Sequence, residues 1–367
     1  PGTLAGRRSP GGLVRPLGAF TTGAPSPAFQ PARHPRLARA QPSRRRNQPA
    51  SARKLTLDPR QRTPILVTGA HRTGTTWVGK MLAANRQAAY LSEPLNLWHR
   101  PGVLRTPLQH WYTYICAENE QAYLPGLQET LAFHYHAWQE IRSLRSAKDA
   151  LRMARDWGIF TRGQLLTQRP LLKDPFAIFS APWFHDRLGC QVVITVRHPA
   201  AFASSLKRLG WNFDFSHLLN QPLLMRHLLQ PYRSQMQAML AAPQDVIGQA
   251  SLLWQITYEV VAGFCERYPD FQVVRHEDLS LDPLDGFQKL YQTLGLDFTP
   301  TAQKTILDSS NSENPAEVSQ KAVHAVRLDS RANLDNWKRR LQPQEIERVR
   351  RLTQATVQHF YPDLAWD

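Results

Sequence analysis

The stretch Leu66 to Leu82, LVTGAHRTGTTWVGKML, confines the fold more tightly than any other part of the chain. A short apolar run, a turn bracketed by Gly69 and Gly74, and a helical pattern read as buried strand, loop and helix. Backbone amides at such a helix start, together with its dipole, favour an anionic ligand. Four more short β-branched or apolar runs follow: AAYLSE, RPLLKDP, CQVVITVRHP and FQVVRHEDL. Alternating with helical stretches, they predict an α/β fold in which a central, mostly parallel sheet carries helices on both faces. Ligands of such sheets sit at the carboxyl ends of the strands. The residues just after each run, GAHRTGTT, EPLN, KDPF, RHP and HEDL, therefore carry the functional argument.

The 367 residues are 42% hydrophobic and 20% charged, an ordinary globular balance, and no run approaches the ~18 apolar residues of a membrane span. The net charge of +16 looks at first like a nucleic-acid signal. Eleven of the basic residues, however, precede Asp58, and the remainder of the chain carries 34 basic against 29 acidic residues. No nucleic-acid partner is expected. Residues 1–60, rich in Pro and Arg, form a predicted disordered basic tail, with a targeting peptide or a polyanion-binding arm as alternatives. The folded domain is expected over 61–367. The first methionine is Met81, inside the helix after the loop. Initiation there would delete the loop, so the chain start reads as a processed end, an incomplete reading or a non-Met start. A cytoplasmic location is expected. Cys116, Cys190 and Cys265 stand far apart without ligand spacing, so neither a disulfide framework nor a metal site is expected.

A nucleotide triphosphatase loop of form G-x-x-x-x-G continues with Lys and then Ser or Thr. Here Thr75 and Thr76 follow Gly74, the cation has moved into the loop as Arg72, and Lys80 lies a turn too late to replace it. Nor does VVITVRHP end in an acidic residue able to hold magnesium. A magnesium-dependent kinase is disfavoured. The same run places Arg197 at its end and Ser205 eight residues on, a guanidinium fork and a hydroxyl suited to a second phosphate. Two anion cradles imply a ligand phosphorylated at both ends.

At these residues the sequence resembles the sulfotransferases that use 3'-phosphoadenosine 5'-phosphosulfate (PAPS). HRTGTTW is similar to that family's 5'-phosphosulfate loop, and Arg197 with Ser205 to its 3'-phosphate site. VVRHEDLSLDPLDGFQKLYQTLGL and LDNWKRRL resemble its later segments. The resemblance implies a P-loop-type three-layer sandwich, transfer of a sulfuryl group to an acceptor hydroxyl, and PAPS as co-substrate without a metal. It implies a cofactor site of Arg72, Thr73, Gly74, Thr75, Thr76, Trp77, Arg197 and Ser205. Trp77 stands where cytosolic relatives stack adenine, although a core role is equally open to it. His276 falls where relatives often have Tyr, and Arg331 or Arg327 is placed to reach the 3'-phosphate. Lys338, Arg339 and Arg340 read as a solvated basic helix.

Arg at position 72, where many cytosolic members have Lys, resembles the carbohydrate and tyrosyl-protein branches. An arginine stays protonated, so its role is electrostatic. No His stands in LLKDPFAIF where the cytosolic branch has its base. The tyrosyl-protein pattern, a Glu about twenty residues past the loop Arg and a KDPF segment, is matched by Glu93 and by Lys173 to Phe176. The resemblance thus implies Glu93 as general base, Lys173 as a second cation and Arg72 as the fixed loop charge. Asp174 reads as a loop brace or a substrate contact. Acceptor recognition is expected from 97–157 and 209–243, with Trp98, Trp111, Tyr112, Tyr114 and Trp138 as pocket or core. His134 and His136, read as two apart on a helix, are expected to face different sides and to bind no metal. The rival readings are a magnesium-dependent kinase and a non-catalytic nucleotide- or polyanion-binding protein.

Overall fold

The computed structural model describes residues 63–317, 327–362 and Trp366, all within the compact unit Arg53–Asp367. The basic tail of 1–60 lies outside the described residues. Five strands, β1 (Ile65–Gly69), β2 (Ala88–Ser92), β3 (Arg169–Lys173), β4 (Gln191–Val196) and β5 (Gln272–Arg275), form one sheet of order β2-β3-β1-β4-β5. Every neighbouring pair is parallel. Each strand coincides with one of the five apolar runs.

The alternation of side chains along β1 distributes the core. Ile65 and Val67 join the apolar layer built from α1 (Thr75–Leu82) and the helices Pro283–Leu294 and Pro300–Ser310. Leu66 joins the opposite layer, built from α5 (Ala181–Leu188), α6 (Pro199–Leu209) and the helix Val246–Arg267. Burial on both faces explains the apolar runs of the central strands β1, β3 and β4, while the edge strands β2 and β5 are only partly buried. Val78, Met81 and Leu82 of α1 are all buried, each worth roughly 1.5–3 kcal/mol.

Between β2 and β3 the chain inserts α2 (Leu124–Leu131), α3 (Ala137–Ser143) and α4 (Ala147–Leu165). This insertion stands on the β2 and β3 side of the sheet's carboxyl edge, with α4 against β2. Its anchor is Glu140, fully buried, which pairs with Arg100 and accepts the Gly102 amide at 2.7 Å. Among the described residues no helix is long and apolar enough to cross a membrane.

Candidate active site

The loop after β1 turns on two glycines. Gly74 has φ +95°, and a Cβ there would come 2.7 Å from His276 Nδ1, so both conformation and space demand glycine. Gly69, at φ +149°, has the Thr195 carbonyl 2.5 Å from where its Cβ would be. The first helical bond of α1 runs from Val78 N to Gly74 O at 3.0 Å, which leaves the amides of Gly74 to Trp77 without intrahelical acceptors. Earlier amides of the loop are occupied. Ala70 N donates to Tyr258 Oη and His71 N to Tyr112 Oη, each at 3.3 Å. Thr73 is fully buried and donates both its hydroxyl, at 2.6 Å, and its amide, at 3.3 Å, to Ala70 O, so it braces the loop from beneath.

His71 was not singled out by the sequence. Its ring packs among Tyr112, Phe176, Phe202 and Phe213, and its Nδ1 meets Tyr112 Oη at 2.7 Å. Burial, with Arg72 beside it, pushes its pKa down to about 4, so the ring is neutral at pH 7.

On the β4 side the two cradles meet. Arg72 Nε donates to Ser205 Oγ at 3.3 Å, and Arg197 Nη1 donates to the Arg72 carbonyl at 3.3 Å. The Arg72 side chain therefore spans from the loop toward α6, lying 5.8 Å from the centroid of Trp211. Burial and the nearby Arg197 and Arg208 hold its pKa down to about 10, and it remains charged at pH 7. Arg197 is also lowered by burial, with Arg340 and Arg208 adding repulsion against the attraction of Glu277. Its Nε is buried without a hydrogen-bond partner among the described residues. Arg208 was missed. Arg208 lies three residues after Ser205 on α6, a spacing that puts both on one helix face. Arg340 departs from the expected solvated helix: it is largely buried, pairs with Glu317 at 2.8 Å and faces Arg197.

On the β2 and β3 side, Glu93 and Lys173 stand at the ends of adjacent strands. Ser92 and Lys173 are in register, and the Glu93 amide donates to the Lys173 carbonyl at 2.7 Å. Lys173 Nζ pairs with Glu93 Oε1, and Asn96 Nδ2 donates to Glu93 Oε2 at 2.7 Å. Lys173 is buried, whereas the Glu93 side chain keeps 19% of its surface exposed. Glu93 and Arg72 both have left-handed backbone, φ +51° and +71°. Such strain costs roughly 1–2 kcal/mol per residue and concentrates where side chains must be aimed. Asp174 faces inward. Its carboxylate accepts the Leu95 and Phe176 amides, bracing both strand ends, and burial beside Glu93 pushes its pKa up to about 7.

The remaining expected residues divide. Thr75 is buried at the helix start and Thr76 lines the cleft described below. Trp77 packs into the core edge-on to Phe287 and His276, its Nε1 donating to Ser309 Oγ at 2.9 Å. His276 lies against Gly74 with Nδ1 buried and unpartnered among the described residues. Arg331 is exposed, and its guanidinium donates to the Leu281 carbonyl at 2.7 Å. Tyr112 is core, Trp98 is exposed and Trp111 bridges it to Phe176. The helical premise for His134 and His136 fails, because both lie in the non-helical segment between α2 and α3 with ring centroids 4.8 Å apart. Glu129 completes a cluster of potential ligand atoms with them, but its carboxylate is gripped by Arg105 at 2.6 and 3.0 Å.

Taken together, the carboxyl edge carries a helix-start anion site at β1, an arginine-lined cradle at β4 and a carboxylate–ammonium pair at β2 and β3. Such an edge is chemically suited to an anionic ligand. The model of the sulfotransferase family matches residues 64–300, and the chain belongs to that family. A curated relative, carbohydrate sulfotransferase 1 of Danio rerio, is 29% identical over 98 residues, 26% of this chain. That match spans about a fifth of the relative's length. Matching solved structures include the sulfotransferase domain of the Synechococcus PCC 7002 olefin synthase, 16% identical over 83% of this chain and 97% of that one, TM-score 0.40. Another is a sulfotransferase from Mycobacterium avium, 14% identical over 84% of this chain and 78% of that one, TM-score 0.40.

Proposed function

We propose that the protein transfers a sulfuryl group from PAPS to an acceptor hydroxyl, with a carbohydrate as the favoured acceptor. The observation that carries the reading is the placement of the two anion cradles and the Glu93–Lys173 pair at the ends of neighbouring parallel strands. The residues fit the co-substrate: free helix-start amides and Arg72 for its 5' end, Arg197 with an unpartnered Nε and Ser205 for its 3' end. PAPS supplies the activated sulfuryl group.

Glu93 accepts the proton of the attacking hydroxyl. Lys173 holds Glu93 in position and presents positive charge where the bridging oxygen accumulates negative charge. Arg72 and the amides of Gly74 to Trp77 stabilise the same charge from the loop side. Arg197 and Ser205 fix the far end, and with it the line of attack. His276 lies against the loop on the side of Trp77, which supports a place for both near the adenine. A carbohydrate acceptor is supported by the named activity of the Danio rerio relative and by the polar, open cleft beside Glu93.

Calorimetry with 3'-phosphoadenosine 5'-phosphate (PAP) and, separately, with ATP and magnesium tests the reading. Tight binding of the first without magnesium is expected; preference for ATP, or binding of neither nucleotide, would overturn it.

A further inference from the structure

A cleft of about 1030 Å³ opens over Thr76, Glu93 and Lys173 and is walled by α4 and the segment before it. Six cationic and four acidic side chains line it. Two of the acids, Glu140 and Asp156, are engaged by Arg100, 19% exposed, which pairs with the first and lies 3.8 Å from the second. Glu93 is matched by Lys173. The rim is left positive. Lys80 on α1 and Arg145 before α4 line the cleft without a carboxylate partner among the described residues. Arg152 reaches Asp149 only at 3.5 Å, and Arg155 pairs with Asp156 at 2.7 Å while 63% of its side chain stays exposed.

Three cations from three separate elements, Lys80, Arg155 and Lys173, line this one cleft. Burial lowers the pKa of Lys80, and Lys173 on β3 and Arg155 on α4 lower it further. Like charges gathered in a cleft cost free energy, which a bound anion returns. The position of the charge is informative. Lys80 follows Thr76 by four residues on α1, so it lies on the same helix face, about 6 Å further along. Lys80 and Arg155 thus line the same cleft as Glu93, and an anion they hold shares that cleft with a hydroxyl delivered to Glu93. Trp98, 83% exposed on the same wall, is braced edge-on by Trp111 at 5.1 Å and offers a flat face to a ring.

We infer that the acceptor is an acidic saccharide whose own carboxylate or sulfate, on or next to the sugar being modified, is bound by Lys80 and Arg155. This rests on the sulfotransferase reading above. The flat exposed indole and the hydroxyl-bearing Thr76, Tyr90, Ser92 and Ser143 along the cleft favour a saccharide over an acidic peptide.

The test uses the full chain, PAPS and a matched pair of acceptors, oligogalacturonate and its carboxyl-reduced neutral counterpart. A kcat/KM at least tenfold higher for the charged oligomer is expected. Lys80→Gln and Arg155→Gln should each raise its KM three- to tenfold, less so at high salt, while the affinity for PAP stays constant. Equal use of the two oligomers, preference for the neutral one, or sulfation of a tyrosyl peptide in place of both would overturn the inference. So would PAP binding with transfer to neither oligomer, an outcome that leaves the sulfotransferase reading standing. Failure to bind PAP would overturn both.

Discussion

The pair formed by Glu93 and Lys173 has two roles that a double-mutant cycle separates. Lys173 is almost wholly buried and touches Glu93, whose other oxygen is bound by Asn96. Glu93→Gln keeps an acceptor for the ammonium but removes its countercharge. Breaking a buried pair from one side costs roughly 3–5 kcal/mol, and the retained hydrogen bond places this variant toward the lower end. Lys173→Met leaves a carboxylate that water and Asn96 still reach, so about 1–3 kcal/mol is expected. The double variant leaves neither charge stranded and should recover about 2–3 kcal/mol relative to the sum of the singles. Activity should behave otherwise. Loss of the base should lower kcat by about 10²–10⁴, loss of the cation by about 10²–10³, and the double variant should recover nothing. Urea unfolding measures the stabilities, single-turnover transfer the rates, and calorimetry with PAP confirms a formed site. A Glu93→Gln protein within threefold of wild-type kcat, or strictly additive destabilisation, would refute the assignment.

Gly74→Ala should lose about 1–3 kcal/mol of stability and at least tenfold in PAP affinity, since its Cβ is forced toward His276 at positive φ. Gly158→Ala, inside α4 with nothing within 4 Å of its Cβ, should instead gain about 0.5–1 kcal/mol, and thermal melts with calorimetry compare the two. A third expectation concerns acid. His71 titrates near 4 when folded and near 6.5 when unfolded, so the unfolded chain takes up a proton that the fold refuses. Its contribution is intact above pH 7 and falls by at most about 3 kcal/mol as pH drops from 6.5 to 4. Asp174, raised to about 7, has the opposite sign, gaining stability as pH falls through the same window. Urea unfolding at pH 7, 6, 5 and 4.5 should therefore show a shallower acid loss in His71→Gln than in wild type; identical slopes would contradict the burial argument.

The strands were legible because each centres on a short apolar run bounded by turn residues, and in β1, β3 and β4 burial on both faces leaves such a run no other use. The residues after each run were legible for the same reason, since a parallel sheet delivers them all to one edge. What could not be read locally depends on contacts between distant segments. Tyr258 braces the loop at Ala70 from 188 residues away, and Tyr112 Oη meets His71 from within a stretch that reads only as aromatic. The side-chain direction of Arg72 was equally hidden: its loop position suggests the reacting sulfate, whereas its Nε lies on Ser205. The misreading of His134 and His136 came from extending a helical period beyond Leu131, where α2 ends.

The direction of Arg72 also bears on how the two ends of the ligand are coupled. Burial, and then the charges of Arg197 and Arg208, depress the pKa of Arg72 to about 10, so the fold holds mutually repelling cations near one another. Their repulsion is tolerated because the backbone fixes them: Arg197 is held at the strand end, where Trp254 Nε1 donates to its carbonyl at 2.8 Å, and Arg72 on a left-handed turn. On the proposed function, an anion bound between Arg197 and Ser205 offsets that repulsion, so PAP affinity should fall steeply with salt and Arg197→Gln should weaken it more than Arg208→Gln.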